Sequence, residues 1–290
     1  MPFSDKLEQN RFVLTSEVQV SAETDKESVL GSLKQIKGRI DGLVVTEAEI
    51  EGVACDSVPI CSALKEGGYN PLFETTTREK NRIDLQSQFI KAADAGINSL
   101  LAFTRDYRIT GDSLNEMMFF HVDSGKLFSV LNSLKEGVDV RGKDLPGTYE
   151  FSVGAGIDAG WGKKVPDLEL KEIETLVGMG TRFFITTPVF DLAEFSQFYD
   201  RVKQFGVPII AEVILIRSVG MGLLMNKYIR PNLVPPQVLD RLARAPNKEK
   251  ASIEIFSDLV NGLKGVCNGV HIVPFGAEDR VNRYLNALRR

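Results

Sequence analysis

Three carboxylates lie where carboxylates are uncommon, within or at the end of strongly apolar stretches of the sequence. Glu17 interrupts FVLTSEVQV, Glu212 interrupts PIIAEVILI, and Asp106 ends SLLAFTRD. A carboxyl group that folding removes from water is hard to ionise, so its pKa rises toward the range in which it can act as a general acid. These three residues are therefore the first candidates for proton chemistry.

Other polar or small residues follow further apolar stretches at the same relative position. One polar residue at the end of a strand usually only meets solvent. A whole set at this position is instead typical of a cavity onto which several strand ends converge. The members of the set are Thr46, Glu74 to Thr77, Thr104, Arg105, Gly154 to Gly156, Thr186, Thr187 and Arg217.

These candidates need a fold that brings strand ends together, and the sequence alternates strand-like and helix-like segments throughout. Eight strands alternating with helices predict an α/β protein with a (β/α)8 TIM barrel, formed by a single domain over residues 1–290. An open, doubly wound sheet is the alternative if the first or last strand is assigned wrongly. The predicted strands are Phe12–Val20, Gly42–Thr46, Asn70–Thr77, Ser99–Asp106, Tyr149–Ile157, Arg182–Phe190, Pro208–Ile216 and Gly269–Gly276.

Composition and charge exclude several classes of protein. The chain has 290 residues, 43% of them hydrophobic and 26% charged, which is close to the average of soluble globular domains. The net charge of −4 gives no basic footprint for a nucleic-acid partner. No apolar run approaches the roughly 18–20 residues that span a membrane. The three cysteines are odd in number and sparse, which predicts a reduced, cytoplasmic protein.

Familiar site motifs are absent from the sequence or weak. Cys55 and Cys61 have no matching second pair that would indicate a zinc site. His121 and His271 are the only histidines, and no G-x-S-x-G elbow accompanies them. The stretch GAGIDAG resembles a dinucleotide fingerprint only superficially. Its glycines would let the backbone approach a flat ligand, or would serve only a turn.

The order of several segments resembles the methylenetetrahydrofolate reductase family over most of the chain. TSEVQV is similar to the first strand of that family, LLAFTRDYRITGD to a strand end with a Gly-Asp pair, and SVGAGID to the small-residue end of the fifth strand. The other segments that resemble the family are TTTREKNRIDLQSQFIKAADAGI, FFITTPVFD, PIIAEVILIRS and GVHIVPFGAEDR. Their shared order makes the resemblance fairly specific, although no single segment is decisive.

The resemblance implies flavin-dependent reduction of a methylene-pterin, 5,10-methylenetetrahydrofolate, to the methyl form by hydride transfer. Glu17 would be the general acid and Asp106 would lie near the flavin and stabilise the cation that forms. The folate-type or other pterin would be bound by Glu17, Thr187 and Arg217. The cofactor would be FAD, with FMN or no flavin as alternatives, and its predicted ligands are Thr46, Glu74, Thr76, Thr104, Arg105, Asp106, Gly154, Ala155 and Gly156.

The sequence departs from the family pattern at four of the implied contact positions. Thr187 replaces a folate-contacting glutamine, Arg105 replaces a glycine, Leu176 replaces a flavin-phosphate lysine, and Glu74 replaces a flavin-contacting histidine. These changes leave open a non-catalytic or differently specific barrel subunit of a redox complex in one-carbon metabolism. A lyase or aldolase on the same barrel is a further alternative, but no strand-end lysine supports it. The electron donor, a nicotinamide or a redox partner subunit, and oligomerisation through an exposed apolar helix face also stay open.

Overall fold

The computed structural model describes residues 3–21, 23–47, 56–75, 80–102, 124–160 and 162–288. Its strands pair in parallel and in chain order, and the last strand pairs with the first, so the sheet is a closed barrel. The predicted (β/α)8 barrel is therefore confirmed, and the open-sheet alternative is wrong. The strands are β1 (Val13–Val20), β2 (Gly42–Glu47), β3 (Pro71–Thr75), β4 (Ser99–Ala102), β5 (Ser152–Ile157), β6 (Phe183–Pro188), β7 (Ile209–Ile214) and β8 (Gly269–Val273).

Helices surround the barrel, and five of them begin with a side chain that caps the first turn. In the helix that follows β3, for example, Asn81 and Asp84 form a reciprocal capping box. None of the described helices combines the length and the apolar character needed to cross a bilayer. The helices are α1 (Phe3–Glu8), α2 (Lys26–Leu33), α3 (Val58–Glu66), α4 (Arg82–Asp94), α5 (Ser124–Lys135), α6 (Asp167–Gly178), α7 (Leu192–Val202), α8 (Val219–Tyr228), α9 (Pro236–Arg244), α10 (Lys248–Leu263) and α11 (Val281–Ala287).

An apolar plug closes the amino-terminal end of the barrel. Phe3 of α1 meets Phe183, the first residue of β6, edge to face with ring centroids 5.2 Å apart. Both residues belong to a buried cluster inside the barrel that also contains Val13, Leu72 and Ile210. Because this end is filled by side chains, a ligand can reach the barrel interior only from the carboxyl-terminal mouth, where such barrels carry their active sites.

The layer of side chains nearest the mouth is acidic. In an eight-stranded barrel of this kind, inward-facing residues form layers to which alternate strands contribute one residue each. The pairing register around the barrel places Glu17 of β1, Glu74 of β3, Gly156 of β5 and Glu212 of β7 in one such layer. Three glutamates therefore face a common space above the apolar interior.

Gly154 of β5 is needed for packing inside the barrel, which gives a test of the fold. A Cβ atom at this position would lie 2.2 Å from the Phe183 ring, far inside van der Waals contact. We expect Gly154→Ala to lower the free energy of unfolding by about 1–3 kcal/mol or more, because the fully buried Phe183 has to shift. Thermal or denaturant unfolding measures this loss.

Gly178→Ala is the matched control for that substitution. Gly178 lies at the end of α6, where an added Cβ would meet nothing within 4 Å. The control should leave stability unchanged or raise it slightly, since alanine favours a helix over glycine. Equal stability of the two variants would contradict the packing role of Gly154.

Candidate active site

Glu17 is the predicted general acid, and the structure places it in the acidic layer of the mouth on β1. Its side chain is only partly accessible, and removal from water is the main cause that raises its pKa from 4.5 to about 7. The negative charge of Glu278, in the short 3-10 helix Glu278–Arg280, raises the pKa further. At neutral pH the carboxyl group is therefore balanced between its acidic and basic forms, as proton transfer to a substrate requires.

The Thr46 hydroxyl lies beside Glu17 at the end of β2. Its contact with Glu17 offsets part of the rise in the Glu17 pKa. By the geometric criterion, however, its buried oxygen has no hydrogen-bond partner within the described part of the chain. A buried polar atom without a partner is costly, so such atoms usually meet a ligand or water. Thr46 was predicted as a cofactor ligand, and its position at the mouth is compatible with that prediction.

Glu212 is the second strongly perturbed carboxyl group, and it points from β7 into the same layer. Removal from water is the largest cause that raises its pKa well above 4.5, and the charges of Glu17 and Glu74 follow. In the sequence Glu212 was a candidate for proton chemistry, although the family resemblance gave it no role. Two carboxyl groups whose ionisation is separated in this way often divide the acid and base functions of a site.

His271 lies one layer below the acidic residues on β8 and does not act as a cation there. Burial lowers its pKa to about 3, and Thr15 Oγ1 lies 3.0 Å from His271 Nδ1. The imidazole is therefore neutral and held by a neighbouring strand. It provides no positive charge that would offset the glutamates above it.

A polar cluster joins the ends of β5 and β6. The Thr187 hydroxyl donates to Asp158 Oδ1 at 2.8 Å and accepts from the Ala159 amide at 3.1 Å. The Gly160 amide also donates to Asp158 Oδ1, at 2.8 Å. Thr187, predicted as a substrate ligand, thus uses its only hydrogen-bond proton within the protein. Contact with a substrate would have to use its remaining acceptor capacity.

Arg230 completes this cluster and explains one glycine of GAGIDAG. Its guanidinium lies 3.7 Å from Asp158 Oδ1, and it fills the space in which a side chain on Gly160 would lie. Gly160 therefore serves the approach of Arg230, and the loop does not have the open form of a phosphate cradle. Sequence reasoning missed Asp158 and Arg230. The position of Asp158 directly after the apolar β5 was the signal that could have indicated it.

Thr187→Val tests whether this hydroxyl stabilises the loop. Valine keeps the shape but removes the donor to Asp158 and the acceptor for Ala159, so we expect a loss of about 1–3 kcal/mol in the free energy of unfolding. Urea unfolding measures the loss. Thr175→Val on the exposed face of α6 also removes one side-chain hydrogen bond, to Lys171, and should cost less. A smaller loss for Thr187→Val than for Thr175→Val would contradict this account.

Arg217 follows β7 and bridges two loops of the mouth. One of its terminal nitrogens donates to the Phe275 carbonyl at 2.8 Å, while its buried Nε has no partner among the described residues. Phe275 has a φ of 53°, a left-handed conformation that non-glycine residues seldom adopt. The guanidinium therefore keeps hydrogen-bonding capacity at the mouth, as expected of the predicted substrate ligand.

Of the remaining predicted ligands, some are placed by the structure and the others lie outside the described residues. Gly154 is covered by the Phe183 ring, and Ala155 is buried in the core between the barrel and its helices, so its side chain does not face the mouth. Leu176, at the position of the family lysine, is 2% exposed in α6. Asp106, Thr76, Thr104 and Arg105 lie outside the described residues.

The comparisons with known proteins agree with the barrel fold. The family model described as methylenetetrahydrofolate reductase matches residues 4–288. No curated protein matches the sequence significantly. An uncharacterized protein from Clostridium thermocellum, which binds two copies of 5-methyl-5,6,7,8-tetrahydrofolic acid, has 14% sequence identity and a TM-score of 0.64, with 98% of this chain and 97% of that chain covered.

Tryptophan synthases are also similar in structure. One from M. tuberculosis has 9% identity and a TM-score of 0.53, with 99% of this chain and 96% of that chain covered. The alpha-subunit from Pyrococcus furiosus has 9% identity and a TM-score of 0.51, with 95% and 97% covered. At such identities the likeness to solved structures establishes the barrel fold alone, whereas the family model covers nearly the whole sequence.

Proposed function

Because the chain belongs to the methylenetetrahydrofolate reductase family, we propose that it reduces 5,10-methylenetetrahydrofolate to the methyl form in a flavin-dependent reaction. The observation that carries this proposal is Glu17, an inward-facing carboxyl group at the barrel mouth with a pKa of about 7. The methyltetrahydrofolate bound by the similar Clostridium thermocellum protein supports a reduced folate as the ligand class. The electron donor would be a nicotinamide or a redox partner subunit.

The described residues are compatible with a flavin at the mouth. The Thr46 hydroxyl has no hydrogen-bond partner of normal geometry among the described residues, so it offers a polar contact for a flat ring. Gly156 carries no side chain that would obstruct the ring, and Glu74 lies in the same layer. We assign Thr46, Glu74 and Gly156 as the described residues that would hold the ring. When bound, a flavin supplies the hydride for the reduction.

The protein itself would prepare the substrate for reduction. Protonated Glu17 gives its proton to the bridging nitrogen of the methylene group, so the five-membered ring opens and leaves a carbon–nitrogen cation. A carboxyl group with a pKa of about 7 suits this step, because it holds a proton at neutral pH and can still release it. Arg217 would bind an acceptor group of the pterin substrate, and Asp106 is proposed to stabilise the cation.

The visible absorption spectrum of the purified protein tests this function, before and after anaerobic addition of methyltetrahydrofolate. A flavin spectrum that bleaches on addition supports the proposal, because methyltetrahydrofolate then reduces the flavin in the reverse of the proposed reaction. A flavin that stays oxidised contradicts the choice of pterin. Absence of flavin, even after reconstitution with FAD and FMN, contradicts the flavin-dependent reaction.

A non-catalytic or differently specific barrel subunit of a redox complex is the second candidate, and Leu176 favours it. Its side chain is 2% exposed within the core, so it cannot take the place of a lysine that meets flavin phosphates. Two results together would support this candidate. The protein would bind neither FAD nor FMN on reconstitution, and it would still bind methyltetrahydrofolate in calorimetry.

A further inference from the structure

Asp158 continues the inward-facing side of β5 one position above the acidic layer. Gly154 and Gly156 are the inward-facing residues of this strand, whereas Ala155 and Ile157 belong to the core between the barrel and its helices. Because side chains alternate between the two faces of a strand, Asp158 follows Gly156 on the inner side. Gly156 has no side chain, so no side chain of β5 separates the Asp158 carboxylate from the centre of the mouth.

The neighbouring strand β6 gives independent evidence for this orientation. Phe183 and Ile185 belong to the cluster inside the barrel, and Thr187 lies two residues further along β6. The Thr187 hydroxyl donates to Asp158 Oδ1 at 2.8 Å, so the two side chains meet on the same side of the sheet. Asp158 therefore faces the mouth, and 17% of its side chain is exposed there.

The described residues engage only one of the two oxygens of this carboxylate. Oδ1 accepts from the Thr187 hydroxyl and from the Gly160 amide, both at 2.8 Å, and lies 3.7 Å from the Arg230 guanidinium. Oδ2 accepts no hydrogen bond from any residue that the structure describes. Because the contacts to Oδ1 hold the group in one orientation, Oδ2 is an acceptor with a fixed direction and remaining capacity.

A reduced folate carries the kind of donor that such an acceptor binds. The pyrimidinone ring of a pterin has a 2-amino group, whose N–H bonds lie in the plane of the ring. A hydrogen bond from this group to a carboxylate is stronger than one between two neutral groups. A site that contains such an acceptor also rejects ligands without the donor, because the carboxylate would then be left without a partner.

We infer that Asp158 is a substrate-binding residue whose Oδ2 accepts a hydrogen bond from the 2-amino group of the pterin. The inference deepens the proposed function and rests on it for the class of substrate. The contact makes and breaks no covalent bond, and its effect is to hold the pterin ring in one orientation at the mouth. It makes the protein selective for folates that have the 2-amino group.

Calorimetric binding to the purified protein tests this contact with two ligands. One is methyltetrahydrofolate, and the other is its analogue in which a methyl group replaces the 2-amino group. We expect the unaltered protein to bind the analogue about 10- to 100-fold more weakly, which is the range for loss of a hydrogen bond to a charged group. Equal affinity for the two ligands would overturn the inference.

Asp158→Asn is the variant that removes the contact while preserving the loop. The asparagine Oδ1 can still accept from Thr187 and Gly160, and its NH2 group replaces the acceptor Oδ2 by a donor. This variant should bind methyltetrahydrofolate about 10- to 100-fold more weakly than the unaltered protein does. An unchanged affinity would overturn the inference.

The two changes must also depend on each other, because they remove the two ends of one hydrogen bond. Replacement of the 2-amino group should therefore weaken binding to Asp158→Asn much less than it weakens binding to the unaltered protein. A general disturbance of the loop would instead weaken the binding of both ligands equally. Equal losses in the variant and the unaltered protein would overturn the inference.

Asp191→Asn is the matched control for the loss of negative charge. Asp191 caps α7 by accepting from the amides of Ala193 and Glu194, a role that asparagine also fills. The charges of Asp191 and Asp158 both act on Glu194, so the control removes a charge from the same neighbourhood. It should bind both ligands as the unaltered protein does. A loss as large as that of Asp158→Asn would assign the effect to charge and overturn the contact.

The binding comparison also separates this inference from the proposed reaction. If the protein binds methyltetrahydrofolate but reduces no pterin, the proposed reaction fails, while the comparison of the two ligands still decides the role of Asp158. If the protein reduces the pterin but Asp158→Asn loses no affinity, the reaction stands and the inference fails. If the unaltered protein does not bind methyltetrahydrofolate, the inference is overturned together with the choice of substrate.

Discussion

Glu17→Gln is expected to lower the rate of pterin reduction by about 100- to 10,000-fold while leaving flavin binding intact. Glutamine has nearly the same shape but holds no transferable proton, and loss of a positioned acid has this range of effect. The carboxyl group is the one that the barrel keeps near a pKa of about 7 at the mouth. Single-turnover reduction, followed by the absorbance of the flavin, measures the chemical step directly.

Glu66→Gln is the matched control for this substitution, because Glu66 is exposed at the end of α3 and is not part of the barrel mouth. Its rate should equal that of the unaltered protein. The flavin content of both variants should also equal that of the unaltered protein, because loss of the cofactor would by itself slow the reaction. Full activity of Glu17→Gln with bound flavin would exclude Glu17 as the acid.

The fold was predictable because its signals are local and repeated. Apolar strand segments, helical spacing and helix-ending glycines recur along the chain, and a one-residue error in one element leaves the alternation unchanged. The predicted strand Arg182–Phe190 illustrates such an error, because β6 begins one residue later, at Phe183, and ends at Pro188. The closure of the barrel was less evident, since it depends on pairing between β8 and β1, residues that are distant in sequence.

The site was only partly predictable, because a sequence shows which strand end carries a polar residue but not which partner it meets. Glu17 was identified through its position within an apolar strand. The common layer of Glu17, Glu74 and Glu212 follows from the stagger of the strands around the closed barrel. The contact of Arg230 with Asp158 joins the end of α8 to the end of β5, and no local pattern indicates it.

Glu17→Gln is also expected to stabilise the fold at alkaline pH, by up to about 3 kcal/mol relative to its effect at pH 4.5. The pKa of Glu17 is about 7 in the folded chain and 4.5 in an exposed carboxyl group, so the folded chain binds this proton more tightly than the unfolded chain. The stability contributed by the proton is complete below pH 4.5, falls as the pH rises toward 7, and is lost above it. Denaturant unfolding of both proteins from about pH 4.5 to 8.5 measures the difference.

The comparison between the two proteins isolates Glu17 from the other buried groups. Glu212 and His271 also have shifted pKa values, but both are present in the variant, so their contributions largely cancel in the difference. Glu66→Gln, at an exposed position of α3, is measured in the same way as the control. A difference that stays constant from pH 4.5 to 8.5 would mean that Glu17 ionises normally in the fold. The proposed general acid would then cost the protein no stability, contrary to its position inside the barrel mouth.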